Sequence, residues 1–193
     1  MGRPCAGLCP NEVQIRNGRQ YYTGRKARYE VAAQNIGKEV QDCMKLTEQQ
    51  KSEQLGRLWQ ITETVYTGAQ LPTREFFNQC VSSGDVFVEW SPGSGSRILG
   101  YALVNKNNRD DDPTPLLRSI AVVKSWRSHG IGSRLLTEID GYYSAKECRS
   151  IILHCKTDNP AQTLYFRHGY RVTHVLHRYY QEEGDGLEMR RDL

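Results

Sequence analysis

Apolar residues recur every three or four positions at Leu55, Leu58, Trp59, Val65 and Tyr66, with Thr62 on the same stripe, which is the face of an amphipathic helix. Ahead of it, Thr47-Glu48-Gln49-Gln50 forms a capping box, and Gly68 ends the run. Leu71-Pro72 interrupts the chain, after which Thr73 caps a shorter helix burying Phe76, Phe77, Cys80 and Val81. The period then shortens to that of strands. Residues 85–90 and 98–104 read as two strands around the turn Ser91 to Ser96. Residues 116–123 read as a third strand, apolar enough to be buried on both faces, beyond an exposed acidic loop with Asp110, Asp111 and Asp112. Helical spacing returns at Ile131, Leu135, Leu136, Ile139 and Tyr143, and a strand follows at 150–156. Asn159 as cap and Pro160 at the first position open a helix burying Ala161, Leu164, Tyr165 and His168, which Gly169 closes. Residues 170–180 and 187–191 are the last strands. With a first strand over 39–46, the order is β-α-α-β-β-β-α-β-α-β-β, an α/β (α+β) domain with about seven strands in one mixed central sheet and about four helices.

That domain occupies residues 39–193, and residues 1–38, glycine-bearing and without clear period, read as a flexible basic extension. They hold seven basic residues against Glu12 and Glu30, whereas the rest of the chain is slightly acidic, although the whole carries +4. Such an arm either docks on a ribosome or another acidic partner or is simply a solvated tail; no specific nucleic acid is expected. It contains no serine, which argues against a transit peptide. A composition of 38% hydrophobic and 25% charged residues excludes a fibrous or disordered chain. Mean hydropathy is −0.66, and the sequence has no apolar run near the ~18 residues a membrane span needs. Nor does a secretory signal open it, so a cytoplasmic protein is expected. The six cysteines include no Cys-x-x-Cys pair and read as free thiols. Cys5 and Cys9 alone make a weak zinc pair, and no metal is expected.

Candidate chemistry concentrates between the third strand and the following helix, at Val122-Val123-Lys124-Ser125-Trp126-Arg127-Ser128-His129-Gly130-Ile131-Gly132-Ser133. Two glycines here let the backbone approach a ligand while helix-start N–H groups point at it, a site for a phosphate or diphosphate to which Arg127 adds charge. A tight strand-to-helix turn with no ligand would use the same residues. Leu135 stands where a dinucleotide fingerprint needs its third glycine, and no Gly-Lys-Ser/Thr follows for a P-loop.

Arg-x-x-Gly-x-Gly after a buried strand resembles the acetyl-CoA loop of the GNAT acetyltransferase superfamily. The stretch from Asn159 through Leu164-Tyr165 to Gly169-Tyr170 is similar to its second signature, in the right order and spacing. The resemblance covers about residues 39–193 and implies a GNAT-like fold, acetyl-CoA as cosubstrate and N-acetyltransferase activity. It implies cofactor contacts from Val122, Val123, Arg127, Ser128, His129, Gly130, Ile131, Gly132, Ser133, Asn159 and Tyr165. The C-terminal part, Leu153-His154-Cys155, Asn159, Arg178-Tyr179-Tyr180 and Gly184 to Leu193, is similar to catalytic subunits of N-terminal acetyltransferases and to the bacterial ribosomal-protein alanine N-acetyltransferase. In those families a Leu-Pro loop and paired tyrosines hold the substrate, which corresponds here to Leu71, Pro72, Tyr179 and Tyr180. This chain departs from them at Thr73, where several carry an acid, and at Leu116, where one branch carries a catalytic tyrosine.

The implied reaction needs a base, an acid and an oxyanion donor. His154 is the candidate base, directly or through a water, since imidazole titrates near ~6.5 and this side chain points opposite to Leu153 and Cys155. Tyr165 is the candidate acid for the leaving thiolate, and a strand N–H, that of Val122, the candidate oxyanion donor. A structural histidine, a packed phenol and ordinary strand aromatics at Tyr179 and Tyr180 are the plainer alternatives. The remaining histidines, His129, His168, His174 and His177, read as structural or exposed side chains. At pH 7 roughly 10% of an α-amine but about 0.04% of a lysine amine is neutral, which favours protein or peptide N-termini as acceptors for one weak base. A lysine or small-amine acetyltransferase and a non-catalytic acyl-CoA-binding or ribosome-docking protein are the competing readings.

Overall fold

Thr47 performs the task its position suggests: its hydroxyl accepts the Gln50 N–H at 3.3 Å while Gln50 Oε1 accepts the Thr47 N–H at 2.9 Å. From this cap runs α1, Glu48–Val65, and Thr73 likewise caps α2, Arg74–Ser83. The computed structural model describes residues 13–16, 19–22, 43–92, 97–107 and 114–193. Contacts divide the chain into two units, Met1–Glu39 and Val40–Leu193.

In the first unit the described residues form an antiparallel hairpin, β1 (Val13–Arg16) with β2 (Arg19–Tyr22). The sequence carried a signal for it that periodicity over the whole extension hides: Asn17-Gly18 between the two is the dipeptide favoured in two-residue hairpin turns. Cys5 and Cys9 lie outside the described residues, as do the tip of the Ser91–Ser96 turn, the acidic Asp110–Asp112 loop and positions 39–42 of the first expected strand.

The second unit follows the expected order. Its strands are β3 (Met44–Lys45), β4 (Asp85–Trp90), β5 (Ile98–Lys106), β6 (Pro115–Val122), β7 (Ser150–Lys156), β8 (Arg171–Leu176) and β9 (Gly186–Asp192). They form one seven-stranded mixed sheet in the order β3-β4-β5-β6-β7-β9-β8, antiparallel except where β6 meets β7. Strand alternation divides the core. Val86, Val88, Tyr101 and Leu103 pack under α1 and α2, and Phe87, Ala102, Leu117 and Leu153 under α3 (Ile131–Ala145) and Tyr165 of α4 (Gln162–Arg167).

Two boundaries differ from expectation. α4 begins at Gln162 rather than at Pro160, because Asn159 Oδ1 accepts the Ala161 N–H at 2.8 Å and closes a capped turn first. The strand expected over 170–180 stops at Leu176. Asp185 Oδ1 takes the Arg178 N–H at 2.8 Å, Arg178 and Gln181 adopt φ of 52° and 54°, and Tyr179 and Tyr180 therefore sit in a turn.

Candidate active site

β6 and β7 pair only at Leu116↔Ile152 and Leu117↔Leu153, although β6 runs on to Val122 and β7 to Lys156. The cause is visible on the other edge of β6. Leu103 of β5 faces Ser119 but Val104 faces Leu117, so Arg118 is the extra residue of a bulge, and β6 bends away as β7 stays paired with β9. Within the gap the Val123 N–H still bonds Leu99 O at 2.9 Å, towards β5. Alternation therefore turns the N–H groups of Val122 and Ile120 away from β5, and the Ile120 N–H is met there by the Tyr66 hydroxyl at 3.2 Å. Two cavities flank it, a groove of about 950 Å³ and a pocket of about 270 Å³, and both are lined by Tyr66, Gln70, Ile120, Asn159 and Tyr165.

The groove holds most of the expected cofactor residues. Val122, Arg127, Ser128, Gly130, Ile131, Gly132 and Ser133 line it, together with Asn159 and Tyr165. Gly130 is the N-cap of α3 with φ 77° and no side-chain cap, leaving the first N–H groups of this 15-residue helix for a ligand. A methyl on Gly132 would stand 2.9 Å from Leu164 Cδ2, so glycine here lets the Leu164 side chain of α4 pack directly against the turn. Arg127 Nε donates to Val122 O at 3.2 Å, and Lys156 and Arg167 add positive charge to the groove against one carboxylate, Asp158. These features suit an anionic diphosphate with a long thin tail running towards Tyr165.

Val123 and His129 do not line the groove. Val123 packs towards the core beneath α1 and α2. His129 rests on Trp126, with ring centroids 5.5 Å apart, while its carbonyl accepts from Arg134 Nη1 at 3.1 Å.

The smaller pocket gathers the expected acceptor residues Pro72, Tyr179 and Tyr180 with the candidate base His154; Leu71 instead packs into the core. His154 Nδ1 lies 2.9 Å from Tyr179 Oη and Nε2 lies 3.4 Å from Glu188 Oε2, its cross-strand neighbour on β9. Glu188 is only 5% exposed and also bonds Thr173 Oγ1 and His174 Nδ1, each at 3.0 Å. A carboxylate at Nε2 favours the tautomer protonated there, which leaves Nδ1 to accept from the Tyr179 hydroxyl. Tyr165 lies where groove and pocket meet. Burial holds its phenol well above the ordinary tyrosine value, so it stays protonated, and among the described residues nothing bonds its hydroxyl.

Three residues here carry signals that sequence reasoning overlooked. Tyr66, placed in the helix stripe, has its hydroxyl 2.9 Å from Ile120 O and 3.2 Å from Ile120 N, with Ser119 Oγ at 3.0 Å. Glu188 stands between the apolar Leu187 and Met189, and Arg118 is the lone cation within β6; a charge at such a position marks a side chain with a partner or a task.

The Acetyltransferase (GNAT) family model matches residues 52–170. An uncharacterized N-acetyltransferase of Methanocaldococcus jannaschii is 34% identical over 95 residues, 48% of this chain and 58% of that protein. The N-alpha-acetyltransferase RimI of Mycobacterium tuberculosis is 31% identical over 101 residues, 51% of this chain and 62% of that one. The chain thus spans about three fifths of the length of these curated relatives. A GNAT family acetyltransferase from Elizabethkingia anophelis, solved with acetyl-CoA bound, shares the fold at a TM-score of 0.57 and 17% identity, covering 70% of this chain and 90% of that one. Among the described residues no helix is long and apolar enough to cross a membrane.

Proposed function

The chain belongs to the GNAT family of acetyltransferases, and on that premise we propose that it acetylates the α-amine of protein or peptide N-termini. Membership makes it an acyltransferase that uses acetyl-CoA, whose thioester supplies the activated acetyl group when bound. The observation carrying the finer reading is the junction at Tyr165: a cationic groove suited to the cofactor opens there into a separate pocket holding His154 and the tyrosine pair. The similarity to an N-alpha-acetyltransferase supports the same acceptor.

In this reading the α3 N-terminus and Arg127 hold the diphosphate, and Asn159 shapes the bend of the groove. The acceptor nitrogen enters between Pro72 and Tyr179. As its C–N bond forms, its proton passes to the Tyr179 hydroxyl, which in turn protonates Nδ1 of His154. Glu188 at Nε2 stabilises the imidazolium that results. Charge developing on the carbonyl oxygen meets a strand N–H. That of Val122, which borders the groove, fits this task, because the Ile120 N–H is already donated to the Tyr66 hydroxyl at 3.2 Å. The C–S bond breaks and Tyr165 gives its proton to the sulfur. Residues 39–193 are then the catalytic domain, cytoplasmic, and the basic residues 1–38 an arm for a ribosome or another acidic partner.

A thiol-release assay with acetyl-CoA and peptides tests this. Free N-termini should turn over and the same peptides with blocked N-termini and free lysines should not. The reverse result would make the chain a lysine acetyltransferase, and tight acetyl-CoA binding with no turnover a non-catalytic binder.

A further inference from the structure

The bulge that opens the gap also determines what the acceptor pocket contains. Arg118, its extra residue, lines the pocket, and its guanidinium carbon stands 5.9 Å from the ring centre of Phe76. Its Nε is buried without a hydrogen-bond partner. Among the described residues no carboxylate forms an ion pair with Arg118, and no aspartate or glutamate lines the pocket at all. Burial pushes the nearby Cys80 thiol up and the Arg118 charge opposes it, so the guanidinium field reaches the pocket wall. A buried donor left unmade is costly, and the planar guanidinium fork matches a carboxylate with two parallel bonds.

We propose that Arg118 is a specificity-determining residue that selects acceptors bearing a carboxylate beside the reacting amine, namely peptides whose first or second residue is aspartate or glutamate. The proposal rests on the N-terminal reading above and narrows it. The pocket offers an incoming acid one fixed cation and no competing anion. An acceptor with lysine or arginine at the same place meets repulsion with nothing to offset it. Ala leaves the buried Nε as it is, and Ser or amide side chains offer it one neutral acceptor without the charge.

The experiment compares the full chain on peptide pairs differing only in Glu against Gln, and Asp against Asn, at position one and then at position two. At one of the two positions the acid should be favoured about tenfold or more in kcat/KM, the scale of a single hydrogen bond to a charged group. Arg118→Gln should bring the acid-to-amide ratio to within about twofold of one, and Arg118→Glu should turn the preference towards lysine. Calorimetric acetyl-CoA binding reports whether each variant is folded, since Arg118 does not border the cofactor groove. Equal rates for acid and amide peptides at both positions in the unmodified protein would overturn the proposal alone, whatever the variants do. If no free N-terminus were acetylated, the proposal would fall together with the reading beneath it.

Discussion

Arg134 on α3 closes on Glu89 of β4, with Nε and Nη2 at 2.7 and 2.6 Å from the same carboxylate oxygen. Glu89 is wholly buried, and the third nitrogen of Arg134 holds the His129 carbonyl at 3.1 Å. One guanidinium thus both neutralises a core carboxylate and anchors the turn that precedes the α3 N-terminus. Arg134→Met leaves Glu89 buried and unpaired and should cost about 3 kcal/mol of stability, the scale for removing one partner of a buried pair. Acetyl-CoA binding should weaken as well. Denaturant melts and titration calorimetry measure the two effects, and an unchanged melt would show that Glu89 finds another partner.

The base and its support should separate kinetically. His154→Ala is expected to lower kcat by about 10²–10⁴, the usual contribution of a positioned base. Tyr179→Phe interrupts the same path by removing the hydroxyl that bonds Nδ1 at 2.9 Å and should reduce kcat by at least about tenfold. Glu188→Gln keeps the shape but not the charge behind the ring, so its loss should be smaller and accompanied by a shift in the pH profile of kcat. A loss below about threefold for His154→Ala would remove that residue from the role.

Tyr165→Phe tests the acid. The ring remains to pack against Tyr170, 5.9 Å away between centroids, so folding and acetyl-CoA affinity should change little. Rapid-mixing measurements of thiol release should show kcat falling by at least about tenfold. A normal rate would leave this phenol a packing residue.

Stability should also depend on pH in a direction uncommon for a carboxylate. Burial pushes Asp140 up to about 6, although Arg191 opposes the shift from 3.0 Å. The folded state therefore keeps this proton at pH values where the unfolded chain, near the ordinary 3.8, has released it. The protonated form contributes stability below about pH 4 that is lost as pH rises to 6, about 3 kcal/mol in all. Melts of the unmodified protein and of Asp140→Asn across pH 4–7 should diverge over that window and run parallel above it. Parallel curves throughout would mean that the Arg191 pairing prevails.

Much of the domain was legible because its signals are local. The Thr47 capping box and the Thr73 cap each need only a few consecutive residues, and each appears where the sequence suggested, whereas Asn159 caps a turn ahead of the helix expected to begin at Pro160. The end of β8 was not legible, since Asp185, which turns the chain at Arg178, lies seven residues away and looks like any other loop acid. Leu71, Val123 and His129 were assigned to sites by motif position. Which way each side chain turned depended on packing that no motif records.

By itself the sequence determined the order of strands and helices, the glycine turn with its arginine, and the histidine and tyrosine available for proton transfer, because periodicity, caps and turn residues act over a few neighbouring positions. The tertiary structure alone decided that β6 slips at Arg118 and parts from β7. It alone brought Tyr66, Tyr165 and Ile120 to one junction and set Glu188 behind His154. Register and bulges arise from pairing between strands far apart in the chain, so a pocket built from them has no local sequence signature.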